Sequence, residues 1–298
     1  MRPPAPAPLL GIGLMVLAVN LFVTMDAVAK HLSLVLPVLQ IVWARNVFAI
    51  ACTLPMLRGT RPAVLLRSAR PGLQLVRSGL LLASTFFFFS AIQLIPLADA
   101  NAISFFSPLL VTALSVPFLG EQVGIRRWAA IAVGLAGALV IIRPGASSMQ
   151  AGSLLALGSC FCFAFYQIAT RILASSDSAL TTALYSPVVG AVATSLAMPF
   201  VWVPPSATEW PLLVLIGAIG GLSHFIFIKA YEKAPPSILA PFSYTQLIWS
   251  VTLGYVLFDN LPDRWTLLGA AIVVASGLYT LYRESVRRRA GTATGRGL

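Results

Sequence analysis

Four ionisable side chains stand inside long apolar runs: Asp26, Lys30, Arg45 and His224. An arginine or aspartate at the centre of a membrane helix costs about 2.5–3.5 kcal/mol on insertion scales, so it needs a partner or a task. Arg45 lies in "LQIVWARNVFAIACTLP", residues 39–55, with no acidic residue within a helical turn. Counting about 1.5 Å per residue from position 36 places it about 13 Å deep. Asp26, counted from the same face, is about 5–8 Å deep, within reach of a guanidinium. Two roles are open to Arg45. It pairs with Asp26 and locks two helices together, or it offers its planar fork to a substrate carboxylate. Both hold if the substrate displaces Asp26. Lys30 follows Asp26 by four residues, a favourable acid-first helical pair, and near the interface it is expected to snorkel. His224, in "GAIGGLSHFIF", is either a neutral packing residue or a contact for substrate or a proton. Glu232 and Lys233 are expected at a surface, and Asp99 as a cap or gate residue.

Other chemistries find no footing. There is no GxxxxGK[ST] run to cradle a nucleotide. "GLSHF" is not a nucleophile elbow, and adjacent Ser223 and His224 diverge by about 100° on a helix. No HExxH or Cys/His cluster exists, and Cys52, Cys160 and Cys162 read as small buried residues. An intramembrane enzyme would need clustered acids or a dyad at one depth. A channel would need a charged ring or a carbonyl filter. Neither pattern is present, and no cofactor or metal is expected.

The elements that must position these residues are membrane helices. The chain is 58% apolar and only 10% charged, against roughly a quarter charged in soluble domains. Its apolar runs are long and continuous, which suits helices and not a β-barrel. Ten spans are predicted, near 9–30, 36–57, 73–95, 99–119, 127–143, 151–172, 179–201, 211–231, 236–258 and 265–283. Pro37, Pro96, "GEQVG" at 120–124, "SSDS" at 175–178, Pro235-Pro236 and Pro262 punctuate them. The net charge of +11 falls in loops and tail, as positive-inside topology requires, so no nucleic-acid partner is expected. Arg58, Arg61, Arg67, Arg70 and Arg77 fall between spans 2 and 3, Arg126 and Arg127 between 4 and 5, Arg171 at the end of 6, and Lys233 between 8 and 9. With the arginine tail from Arg287, expected to be disordered, they share one side. Only Lys30, Arg143 and Arg264 lie opposite. Both termini are therefore expected in the cytoplasm. "MRPPAPAP" reads as a short head and not as a cleavable signal.

The halves repeat at an offset near 140. Gly11 matches Gly152, Lys30 matches Arg171, Ala91 and Pro96 match Ala230 and Pro235, Gly137 matches Gly277, and Glu121 matches Asp259. A first repeat at 1–145 and a second at 146–286, ahead of a basic tail at 287–298, hold five spans each. An odd number inverts the second repeat, which is the plan of many secondary transporters, with a substrate site between the halves.

"PLADANAISFFSPLLVTALSVPFLGE" and "APPSILAPFSYTQLIWSVTLGYVLFDNLPDRWTLLGAAIVVASGLY" resemble the two repeats of the EamA family, in the drug/metabolite transporter superfamily. The resemblance covers nearly the whole chain. It implies ten helices duplicated five by five, and transport of small metabolites without ATP. Within that superfamily the chain resembles the YddG-type exporters of aromatic and other amino acids. "MDAVAKHL" with "WAR" also resembles carriers of S-adenosylmethionine.

Polarity sorts the spans. Spans 5 and 10 are apolar and rich in Gly134, Gly137, Gly269 and Gly277, so they are expected to pack at the periphery, the whole being a monomer or weak homodimer. Polar groups in hydrocarbon need partners or water. Spans 1–4 and 6–9 are therefore expected to line one cavity with Asn20, Asp26, Trp43, Arg45, Ser84, Phe88, Gln93, Asn101, Phe105, Ser107, Tyr166, Gln167, Tyr185, His224, Tyr244, Gln246 and Trp249. The expected function is export of small metabolites, amino acids including aromatic ones, across a bacterial inner membrane. S-adenosylmethionine or another metabolite is the alternative substrate.

Overall fold

Proline, glycine and hydroxyl residues set the helix boundaries. Pro71 occupies the first turn of its helix, where the missing N–H has no intrahelical acceptor in any case. Ser178 caps another, its side chain accepting from the Thr181 N–H at 3.0 Å. A computed structural model describes residues 8–53, 67–143, 149–234 and 236–294. Among them the chain is all helix, with no strand. In chain order the helices are α1 (Pro8–Leu32), α2 (Val38–Thr53), α3 (Pro71–Leu94), α4 (Leu97–Ser104), α5 (Ser107–Leu119), α6 (Ile125–Ile142), α7 (Met149–Leu173), α8 (Ala179–Val201), α9 (Glu209–Lys233), α10 (Pro236–Ser243), α11 (Thr245–Phe258) and α12 (Arg264–Thr294). Eight segments, counting α4 and α5 as one, are long and apolar enough to cross a membrane.

The spans at 99–119 and 236–258 are each broken near the middle. α4 gives way to α5 at Phe105 and Phe106, and α10 to α11 at Tyr244. Phe105 and Tyr244 meet ring to ring, with centroids 4.8 Å apart.

The internal repeat is visible in contacts. A Cβ at Gly11 would lie 2.8 Å from Ala234 Cβ and 3.3 Å from the Ala230 carbonyl. A Cβ at Gly152 would lie 2.5 Å from Ile95 Cγ2 and 3.4 Å from the Ala91 carbonyl. The two contacts are the same contact made twice, since Gly152 follows Gly11 by 141 and Ala230 and Ala234 follow Ala91 and Ile95 by 139. The helix ends agree: the Ile95 and Ala234 N–H groups donate to Ala91 and Ala230. The register of the broken spans needs a correction of one residue. Gly120 and Asp259 are both left-handed caps, donating to Ser115 and Val116 and to Gly254 and Tyr255. Glu121 therefore corresponds to Asn260, not Asp259, because the cap and not side-chain charge fixes the alignment.

Contacts also give direction. The end of α1 reaches the end of α3, where Lys30 Nζ donates to the carbonyls of Ile92 and, at 2.7 Å, Ile95. The start of α7 lies on that same end of α3 through Gly152. So α7, the counterpart of α1, runs the opposite way. The face where α1 begins is called near below, and the other far.

Two bundles result, each mixing the repeats. α3, α5 and α7 form one; α1, α9 and α11 form the other; α2 and α8 pack between them. α6 and α12 pack together outside, where a Cβ at Gly269 would fall 2.6 Å from the Gly137 carbonyl. Their small residues are thus used within the chain. α12 runs on to Thr294, so the stretch from Arg287, expected to be disordered, largely continues a helix. Arg58, Arg61 and the head at 1–7 lie outside the described residues.

Candidate functional site

Arg45 sits on α2, seven residues from Val38, or about 10 Å along the axis. Its Nη1 is 3.4 Å from Thr85 Oγ1 on α3, a long bond, and its Nε is buried with no partner. Gly220 on α9 lies beside it, where a Cβ would stand in ordinary contact with Nε at 3.8 Å and closer, at 3.2 Å, to Met25 Sδ. Asp26 is buried on α1. Asp26 and Arg45 lie within electrostatic reach of each other, but among the described residues no direct ion pair joins them; the ion pairs are Arg143–Asp263, Arg171–Glu121 and Lys229–Glu232.

His224 lies on one stripe of α9 with Leu213, Gly217 and Gly220. Those three are buried, whereas His224 is exposed and edge-on to Phe22 of α1 at 4.9 Å between ring centroids. It is also within electrostatic reach of Arg45 and Arg77. The stripe is therefore packed in the far half and exposed at His224, on the side that faces Arg45 and Arg77 across the gap between the bundles. Among the described residues, the contacts between the bundles lie at mid-depth or in the far half: Lys30 to Ile92 and Ile95, Gln93 Nε2 to the Ser33 carbonyl at 2.8 Å, and Phe105 to Tyr244. These contacts join the bundles on the far side.

Of the other residues singled out in the sequence, several border this space. Asn20 on α1 keeps a buried, unpartnered Oδ1. Trp249, beyond that space on the far side, donates from Nε1 to Thr24 Oγ1 at 3.0 Å, joining α11 to α1. Phe105 and Tyr244 close the floor, with Gln246 half-buried beside the break. On α7 and α8, Tyr166, Gln167 and Tyr185 are half-buried on the near side of the middle. Others are placed elsewhere. Trp43 Nε1 donates to Ser195 Oγ at 2.9 Å in the α2–α8 seam, with Trp202 edge-on. Ser84 exchanges bonds with Ser159 in the α3–α7 seam. Phe88 and Ser107 are buried in packing, and Asn101 bonds its own helix at the Leu97 carbonyl, 3.1 Å away. Gln93 is at the far rim.

Arg77 is a correction. The sequence reading counted it with a loop, but it is buried inside α3. Its Nε donates to Thr170 Oγ1 at 2.6 Å, Nη1 to the Thr182 carbonyl at 2.8 Å and to Ser186 Oγ at 2.9 Å, and Nη2 to Tyr166 OH at 2.9 Å. The guanidinium also stacks 4.5 Å over the Tyr166 ring. The signal available was its position: seven residues into an apolar run, it faces the same side as Ser84. Nearby, outside the helices, Asp177 accepts from Ser68 Oγ, from Gln74 Nε2 at 2.8 Å and from the Ala69 N–H at 2.8 Å. These bonds, the Ser68 bond foremost, hold its carboxyl below the usual carboxylate range.

The EamA-like transporter family matches this chain twice, over residues 9–143 and 150–282. The chain belongs to the EamA family. This EamA protein is 28% identical to an S-adenosylmethionine uptake transporter of Rickettsia bellii, over 92% of this chain and 94% of the relative. It is 30% identical to a riboflavin transporter of Vibrio cholerae, over 95% of this chain and 96% of the relative. A pseudopaline exporter, CntI, of Pseudomonas aeruginosa is 30% identical over 89% of this chain and 94% of its own length. A solved structure described as "Crystal structure of protein" shares the fold, with a TM-score of 0.64 at 22% identity, covering 91% of this chain and 96% of that one. The EamA protein is accordingly a membrane transporter and not an enzyme.

Proposed function

We propose that this transporter moves small carboxylate-bearing metabolites by alternating access, through the vestibule between its two bundles. Ten passages support the cycle: the eight long apolar segments, the shorter α2, and the broken α10–α11 pair. The repeats are inverted and both termini are cytoplasmic. The near face carries Arg126, Arg127, Arg171 and Lys233, whereas the far face has Lys30, Arg143 and Arg264. With the near face in the cytoplasm of a bacterial inner-membrane protein, the conformation is open inward.

The observation that carries the substrate class is Arg45. It stands at the far limit of the vestibule with a buried Nε unpaired and only one long bond to Thr85. A buried donor left open costs about 1–3 kcal/mol, and a bidentate carboxylate would satisfy it. The rings of Phe22 and Tyr244 supply apolar walls. Amino acids, aromatic ones included, fit both requirements, and export down a substrate gradient needs no further part. A second reading is favoured by the four relatives at 27–28% identity named for S-adenosylmethionine uptake. That molecule also carries an amino-acid carboxylate.

Counterflow in proteoliposomes tests both. Vesicles loaded with amino acids, S-adenosylmethionine or riboflavin are expected to exchange only the carboxylate-bearing solutes. Arg45→Ala should cut exchange at least about tenfold, and Arg45→Lys should restore only part of it. Wild-type rates in Arg45→Ala would remove the carboxylate assignment, and riboflavin counterflow equal to that of amino acids would remove the substrate class.

A further inference from the structure

The repeat relation that pairs Gly11 with Gly152 also pairs two cations, Lys30 and Arg171, which now do different work. The Lys30 ammonium is buried and crosses the seam between bundles to the carbonyls of Ile92 and Ile95. These are among the last carbonyls of α3, free of helical partners and favourable to a cation. Asp99, on α4, lies within electrostatic reach of it, and the Phe258 ring is 5.5 Å from Nζ. Arg171 is 60% exposed on the near face and is held by Glu121 just beyond α5.

Exchanging the conformations of inverted repeats turns an inward-open state into an outward-open one. The offset of 139 maps Ile92 and Ile95 onto Tyr231 and Ala234, at the near end of α9. It maps Glu121 onto Asn260, at the far end of α11 and next to Asp259. We propose that Lys30 and Arg171 are alternating gate pins of the transport cycle. Lys30 holds the far gate shut by capping α3. In the outward-open state Arg171 leaves Glu121 and shuts the near gate by capping α9 at the Tyr231 and Ala234 carbonyls. Lys30 then rests at the end of α11, beside Asp259 and Asn260, one residue beyond the Phe258 ring it already faces. The pins are not equal. Ile238 is the counterpart of Asp99, and Glu232, beside Tyr231, is already paired with Lys229, so Arg171 finds no free second carboxylate in its capping position, and the resting balance favours the inward-open state. This rests on the alternating-access reading above.

The test reads the side from which the vestibule is reached. A single cysteine replaces His224 in full-length protein whose Cys52, Cys160 and Cys162 are changed to alanine. A membrane-impermeant maleimide is applied to intact cells and to inverted membrane vesicles. Labelling from the cytoplasmic side is expected to dominate. Lys30→Ala should raise the outside-to-inside labelling ratio about tenfold, the loss of a charged hydrogen bond that stabilises one state only. Lys30→Arg keeps the donor and should stay at the starting ratio. Glu121→Ala, a change at a half-buried residue that frees Arg171, should move the ratio the same way as Lys30→Ala. Arg171→Ala should lower the ratio, and the Lys30→Ala/Arg171→Ala double variant should return toward the start. A ratio unmoved by Lys30→Ala and Glu121→Ala, with cytoplasmic labelling intact, overturns the pins and leaves the transport reading standing. No labelling from either side in any variant overturns the vestibule itself.

Discussion

Two arginines lie inside apolar helices of this protein, and their surroundings separate their roles. Arg77 makes four hydrogen bonds and stacks on Tyr166, so its charge is spent on joining α3 to α7 and α8. Arg45 has one long bond and an idle Nε. The sequence distinguished neither. Arg45 was legible as a costly residue in search of a task, because no acid lay near it in sequence. Arg77 was read as loop because a basic residue near a helix start satisfies the positive-inside pattern wherever it points. The two arginines should also differ under substitution. Arg77→Ala strands the Tyr166 and Thr182 acceptors and should destabilise the protein by about 3 kcal/mol, seen as a lower midpoint of thermal unfolding in detergent. Arg77→Lys cannot reproduce the planar fork and should recover less than half of the loss. An unchanged midpoint in Arg77→Ala would show that the network contributes nothing to stability.

At the scale of helices, the spans, their breakers and the repeat could be read because apolar length and proline leave plain marks. The breaks near Phe105 and Tyr244 were marked only by Pro108 and Pro241 beside them, because each broken span is continuous in hydropathy. The one-residue shift in register was hidden for a related reason: matching Glu121 to Asp259 followed charge, while the chain is aligned by its left-handed caps. Lys30 was read as snorkelling, since its carbonyl partners lie more than sixty positions away. The α3–α7 seam depends on Gly152, where a side chain would strike Ile95 at 2.5 Å. Gly152→Val should therefore cost about 1–3 kcal/mol by overpacking. Gly79 on the same α3 faces open space, so Gly79→Val should be much milder. Equal losses of folded protein on size-exclusion chromatography for the two variants would contradict that seam.

For the whole molecule, the charge asymmetry of the two faces predicts that tags at residues 1 and 298 are both protected in intact cells and both digested in inverted vesicles. One tag cut from each side would deny the even number of passages and with it the inversion. Inversion gives the molecule a symmetry axis, and a side chain near that axis meets its own counterpart. Phe105 and Tyr244 are such a pair, 139 positions apart and in ring contact. In the proposed cycle, swapping the repeats maps this contact onto itself, so it would be the same contact at both extremes of the stroke. The two rings would thus serve as a fulcrum. A change at either one weighs on both halves of the cycle equally, whereas a change at Lys30 or Arg171 tips it toward one side.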